Sequence, residues 1–155
     1  MRKLNFPIIT IILKKVGHVV INGEKNTNIE NKILEINRSI KIFYIKYKPQ
    51  NIDEFKNKKV TAFAGIGNPV NFFNLLKDNN INTVEEIKFP DHYNYSEKEL
   101  ENLISKAKEN NAILLTTEKD YLRIDENYKK NINCLKIIVE IKNRNQFIEE
   151  IKKII

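Results

Sequence analysis

Apolar positions along the chain fall into short runs at two spacings, and polar clusters separate them. Ile8 to Leu13 is apolar apart from Thr10, and Val16 extends the run without a clean period, so it reads equally as helix or strand until Gly17 breaks it. His18–Asn22 reads as a short buried strand closed by Asn22-Gly23 turn chemistry. Asn28 to Ser39 places Ile29, Ile33, Leu34 and Ile36 on one helical face. Ile40 to Tyr47 is β-branched and aromatic apart from two lysines and predicts a strand that Pro49 ends. Lys59 to Ala64 predicts a buried strand, and Pro69 suits the first turn of a helix that buries Phe72, Phe73, Leu75 and Leu76. Ile81 to Phe89 predicts another strand, stopped by Pro90. Ser96 and Glu99 form a capping box for a helix carrying Leu100, Leu103, Ile104 and Ala107 inward. Ala112 to Leu115 and Leu135 to Val139 predict two more strands, the first running straight into Thr116. Gln146 to Ile155 predicts a closing helix with Phe147, Ile148, Ile151, Ile154 and Ile155 inward.

Strands alternating with helices predict an α/β fold of three layers, with a mainly parallel sheet and flanking helices. At 155 residues the chain suits one domain. The polar stretch from Pro49 to Lys59 reads as a linker and marks a sub-boundary near 49–59.

Composition refines this picture only slightly. Hydrophobic residues make up 41% and charged residues 30%, which is globular and excludes a disordered chain. The net charge of +7 admits an anionic partner: a phosphorylated metabolite, an acidic lipid surface or nucleic acid. The aromatics fall on apolar faces and the lysines are scattered, so a nucleic-acid partner is not expected. Cys134 is the single cysteine, which excludes an internal disulfide and a cysteine-built zinc site and suits a reducing compartment. Arg2 and Lys3 ahead of the first apolar run resemble a weak signal peptide, but the run is short, has no cleavage site, and cannot span a bilayer.

Three polar clusters follow predicted strands, where open α/β sheets place ligands. Gly65-Ile66-Gly67-Asn68-Pro69 lacks the spacing, lysine and hydroxyl of a P-loop and the third glycine of a dinucleotide fingerprint. It is either a bend that lets backbone approach a ligand or an ordinary strand-to-helix turn. Phe89-Pro90-Asp91-His92-Tyr93 puts Asp91 and His92 just past a strand end, as a general base with its neighbour or as a surface Asp turn. The other histidine, His18, opens a strand and reads as structural. In Thr116-Thr117-Glu118-Lys119-Asp120, Thr117 can cap a short helix with Glu118 in its first turn, and Lys119 can meet an anion; a plain helix start fits equally.

Taken together and in this order, these clusters resemble the C-terminal half of the tetraacyldisaccharide 4'-kinase family. The resemblance rests on Ala62 to Pro69 with Phe72-Phe73, on Phe89 to Tyr93, and on Thr116 to Asp120, with Val19 to Gly23 as a preceding strand, and it covers roughly Leu13 to Ile155. It implies the C-terminal half of a P-loop-kinase-like two-domain enzyme. It further implies an ATP- and Mg2+-dependent lipid-sugar phosphotransferase of lipid A biosynthesis, in Gram-negative bacteria. That enzyme acts on the tetraacyldisaccharide 1-phosphate lipid, transferring the γ-phosphate to its 4' position. By the same resemblance His92 is the catalytic base partner, paired with an aspartate of the family's N-terminal half to activate the attacking sugar hydroxyl, and Asp91 is its acidic neighbour. Gly65, Gly67, Asn68, Thr117, Glu118, Lys119 and Asp120 form the substrate or active-site rim. The implied location is cytoplasmic and peripheral at the inner membrane. The family's P-loop, magnesium acid, aspartate partner of the histidine and membrane-associating helix have no counterpart in this sequence, so no metal ligand is expected here and the chain reads as truncated. The N-terminal kinase half as a separate chain is the expected partner; the alternative is a non-catalytic remnant or binding module of the same fold.

Overall fold

The structure, a computed structural model, describes residues 7–154. Arg2, Lys3 and Ile155, on which sequence expectations fell, lie outside the described residues. In chain order the elements are α1 (Pro7–Leu13), β1 (His18–Asn22), α2 (Thr27–Ile36), β2 (Lys41–Pro49), a 3-10 turn (Ile52–Phe55), β3 (Lys59–Ala64), α3 (Pro69–Asp78), β4 (Asn82–Lys88), α4 (Glu97–Glu109), β5 (Ile113–Thr117), α5 (Glu118–Tyr121), α6 (Glu126–Lys129), β6 (Ile132–Leu135), β7 (Ile137–Ile141) and α7 (Arg144–Lys152). They build an α/β structure with mostly parallel sheets and flanking helices. Two compact units divide the chain, one of residues up to Lys48 with those from Val139, the other Pro49–Ile138.

The central unit carries all three polar clusters. Its sheet has the order β4-β3-β5-β6, and every recorded pairing is parallel. β3 is its axis. Val60, Ala62 and Ala64 face a core with Phe72, Phe73 and Leu76 of α3, while Phe63 faces the other way, into a core with Leu100, Leu103 and Ala107 of α4. Burial on both faces explains why β3 reads as a continuous apolar run. Helix α4 opens with the complete Ser96/Glu99 capping box, as its sequence predicts.

The stretch expected as a linker is in fact part of this core. Ile52 and Phe55 of the 3-10 turn are buried with Val60 and Leu76, since a short helical turn brings residues three apart onto one side. The single final strand expected over 135–139 is broken into β6 and β7, which belong to different sheets. The backbone at Lys136 causes the break: its N–H donates to Asn51 Oδ1 at 2.8 Å and its carbonyl accepts from Gln50 N–H at 2.9 Å. Those bonds replace strand pairing there.

In the other unit β1, β2 and β7 form a three-stranded sheet, with β1 and β2 parallel. The run that admitted helix or strand is the helix α1. β1 is not buried as expected: one face is covered and Val20, on the other, is 45% exposed. The closing helix ends at Lys152, so Ile154 lies beyond it and is 63% exposed; the expected inward role passes to Glu150. That carboxylate takes bonds from Lys153 at 2.7 Å and Lys41 at 2.5 Å, and His18 Nε2 lies 3.6 Å away. Hydrogen bonds from Lys153, then Lys41, hold its pKa down at about 2.

Phe63→Ala empties a site buried in the sheet's α4 face and should lower the stability of the central unit by ~3–5 kcal/mol in urea denaturation. The depressed Glu150 contributes stability above its unfolded value of 4.5 that is lost as pH falls toward about 2. Glu150→Gln should therefore flatten the acid limb of a pH–stability profile between those values, read by circular dichroism.

Candidate functional site

Three neighbouring parallel strands deliver the three clusters to one edge. β3 ends at Ala64 between β4, ending at Lys88, and β5, ending at Thr117. The chain passes from β3 to β4 on one side and then back to β5 on the other, so the direction of winding reverses at β3. Beyond the carboxyl ends of strands at such a reversal, α/β sheets take their ligands.

Gly65, the first residue beyond β3, is the hub. Its N–H donates to Asp120 Oδ2 at 3.0 Å. Its carbonyl accepts from His92 N–H at 3.1 Å and from Arg123 Nη2 at 3.0 Å. A Cβ here would meet the Tyr95 hydroxyl at 2.7 Å and the Pro90 carbonyl at 3.1 Å, so close approach of backbone requires glycine. Gly67 is exposed, and its missing Cβ would lie 3.2 Å from Asp91 Oδ2. Asn68 stands at the N-cap of α3 without making a side-chain capping bond.

The second cluster leaves the sheet where Phe89 N–H donates to Ala64 O at 2.9 Å. Pro90 then has no N–H to continue the ladder. Asp91 Oδ1 accepts from the backbone N–H of His92 at 3.0 Å. His92 adopts a left-handed φ of 57°, which costs a non-glycine residue about 1 kcal/mol or more and needs such bonds to hold it. The His92 ring is exposed. Its Nε2 lies 3.4 Å from Lys119 Nζ and 3.8 Å from Asp91 Oδ2, while Lys119 Nζ is 3.6 Å from Asp91 Oδ1. Asp91 thus bonds the backbone of His92, and Lys119 is the ring's nearer polar neighbour.

The third cluster is divided by depth. Thr117 caps α5: its Oγ1 accepts from Asp120 N–H at 3.1 Å and donates to Asp120 Oδ2 at 2.7 Å. Lys119 points to the surface group just described. Glu118 is drawn aside, where Oε2 accepts from Ile137 N–H at 3.4 Å. Asp120 is fully buried and bonds Arg123 Nη2 at 2.5 Å. Arg123, which also reaches Lys119 O at 3.3 Å, is a member of the cluster that the sequence reading missed. The available signal was the i,i+3 spacing of an acid and a base across the end of a short helix.

An aromatic wall backs the edge: Phe63, Phe89, Tyr93 and Tyr95 stand with ring centroids 4.9–6.3 Å apart. The Tyr95 hydroxyl is buried beside Gly65 without a hydrogen bond of good geometry. Burial, then the negative charge of Asp120, pushes its phenol well above the ordinary range. The Tyr93 hydroxyl bonds Glu99, whose carboxylate is held below its usual range first by Ser96 and then by Tyr93.

The surface thus offers an imidazole, an ammonium and a carboxylate within 4 Å of one another. Such a group can accept a proton from a hydroxyl and attract an anion. It does not form a phosphate cradle, because the Gly65 N–H is already engaged by Asp120. Among the described residues no three His, Cys, Asp or Glu side chains gather to hold a metal ion, and no helix is long and apolar enough to cross a membrane.

The family model described as Tetraacyldisaccharide-1-P 4'-kinase matches residues 9–155, somewhat more than the 13–155 covered by the sequence resemblance. The tetraacyldisaccharide 4'-kinase of Pelagibacter ubique is 38% identical over 145 residues, spanning 92% of this chain and 46% of that protein. The Rickettsia typhi protein of the same name is 50% identical over 104 residues, covering 66% of this chain and 31% of its own. The chain spans about half the length of the curated relatives it matches, or less. The crystal structure of LpxK from Aquifex aeolicus in complex with ATP shares the fold, with a TM-score of 0.59 at 24% identity, over 92% of this chain and 44% of that one.

The two glycines of the bend should respond differently to substitution. Gly65→Ala must displace backbone and the Tyr95 ring and should cost ~1–3 kcal/mol in urea denaturation, whereas Gly67→Ala meets only the end of the Asp91 side chain and should cost less than about 1 kcal/mol.

Proposed function

We propose a function from one premise: the chain belongs to the tetraacyldisaccharide-1-P 4'-kinase family. It supplies the histidine-bearing half of a lipid-sugar kinase, in which the 4' hydroxyl of a tetraacyldisaccharide 1-phosphate receives a phosphoryl group from ATP. The family match across residues 9–155 carries this reading, and the assembly of His92, Asp91 and Lys119 at a sheet edge supports it.

The chain's own residues divide the work as follows. His92 presents an exposed imidazole whose Nε2, as the neutral ring's acceptor, takes the proton of the attacking hydroxyl. Asp91 holds the backbone of His92 in its left-handed turn. Lys119 places a positive charge 3.4 Å from that nitrogen, where an anionic substrate group would approach. Gly65, Gly67 and Asn68 shape the rim, Thr117 and Asp120 brace it from below, and Glu118 secures the chain leading into β7. ATP and Mg2+ do not fit the groups present here, because the bend is lined by carboxylates and its own residues carry no lysine or hydroxyl for phosphates. Holding them falls to a P-loop half, contiguous with this chain or encoded apart from it. Residues 1–155 act as one α/β domain of that assembly, in the cytoplasm and peripheral to the inner membrane.

The second reading is a non-catalytic module of the same fold, which the missing phosphate cradle favours. His92→Ala separates the two. In an assembly completed with the family's P-loop half, the substitution should reduce phosphate transfer to the disaccharide lipid by roughly 100-fold or more. Transfer unchanged within a few-fold would exclude His92 as the base.

A further inference from the structure

The exposed imidazole rests on a buried charged pair, of which the kinase reading gives a place to Asp120 and none to Arg123. Gly65 connects the two. Its carbonyl accepts simultaneously from His92 N–H at 3.1 Å and Arg123 Nη2 at 3.0 Å, while its N–H donates to Asp120 Oδ2 at 3.0 Å. Arg123 and Asp120 are themselves joined at 2.5 Å, so the peptide units on both sides of Gly65 are gripped by one charged pair. A fully buried carboxylate is tolerated only with such partners, and here Asp120 has three: Gly65, Thr117 and Arg123. His92 in turn holds a left-handed φ of 57° against its intrinsic preference, with Gly65 O and Asp91 Oδ1 as the acceptors of its N–H.

We infer that Arg123 and Asp120 are positioning residues for His92, acting through the Gly65 peptide to fix the backbone turn that aims the imidazole over the sheet edge. The inference deepens the kinase reading and rests on it for its functional meaning. Neither residue touches a reacting atom. Arg123 polarises and orients the Gly65 carbonyl, and Asp120 fixes the other side of the hub. Lys119 is set by the same device, because Arg123 Nε donates to Lys119 O at 3.3 Å. One charged pair therefore places both the imidazole and its ammonium neighbour, and a shift of about 1 Å there is of the size that costs ~100-fold in a phosphoryl transfer.

Amide hydrogen exchange followed by NMR on the whole chain tests this without requiring activity. Arg123→Met removes the guanidinium's three bonds, to Gly65 O, Asp120 Oδ1 and Lys119 O, while keeping much of its apolar stem. It should lower His92 amide protection by about tenfold, with the Phe63 and Leu115 amides of the same sheet held within about twofold. Arg123→Lys, which keeps the charge but lacks the forked donors for three acceptors, should fall between. His92 protection that is unchanged, or that falls only in step with Phe63 and Leu115, would overturn the proposal, since a merely structural role loosens all three together. Asp120→Asn should act in the same selective sense; if it does not fold, the two Arg123 variants decide. In the completed assembly Arg123→Met should lower kcat by roughly 10- to 100-fold with KM within about twofold. A raised KM at unchanged kcat would also contradict a positioning role. Should the His92→Ala assembly keep full activity, the kinase reading fails while the exchange result still stands or falls by itself.

Discussion

The hydrogen bond from Gly65 N–H to the buried Asp120 carboxylate is the contact on which the sheet edge depends. It ties the turn after β3 to the start of the helix after β5. Through the Gly65 carbonyl it extends to the turn after β4. Three loops that could each move independently are thereby made into one surface. The bond is possible only because residue 65 has no side chain, which would collide with Tyr95 and Pro90. It persists because Asp120 is neutralised by Arg123 and held by Thr117, so that burying a charge costs little.

This constraint also explains what the edge cannot do. A glycine-rich bend between a strand and a helix invites comparison with a phosphate loop, where free backbone N–H groups face the ligand. Here the first of those groups faces inward to a carboxylate. The bend is a fastening, and the exposed polar groups gathered on its rim are His92, Asp91 and Lys119. The chain spans under half of the Pelagibacter relative, so the edge described here is only part of what a protein of that length contains.

Much of this was legible in the sequence because local rules and tertiary packing agree. The run Val60–Ala64 reads as a doubly buried strand, Pro69 as a helix opening, and Ser96 with Glu99 as a cap, and each is so. The three clusters after successive strands pointed to one edge, and parallel topology brings them there. Where reading failed, non-local contacts decided. Ile52 and Phe55 lie in a polar stretch and become core only because the sheet face beside them needs covering. The break at Lys136 depends on Gln50 and Asn51, far away in the chain. Asp120 appeared to be a rim residue among its charged neighbours, but the helical turn that exposes Lys119 buries Asp120 against Gly65, and Arg123 joins it from the following turn.

If the chain supplies one half of a phosphotransferase, as proposed, the imidazole lies on this half and the nucleotide on the other. The most direct measurement is transfer of radiolabelled phosphate from ATP to the tetraacyldisaccharide 1-phosphate lipid. It is made by this chain alone, by a P-loop half of the family alone, and by the two co-purified. The proposed division predicts transfer only from the pair. A folded, associated pair that transfers no phosphate, or a P-loop half that is equally active without this chain, would contradict it.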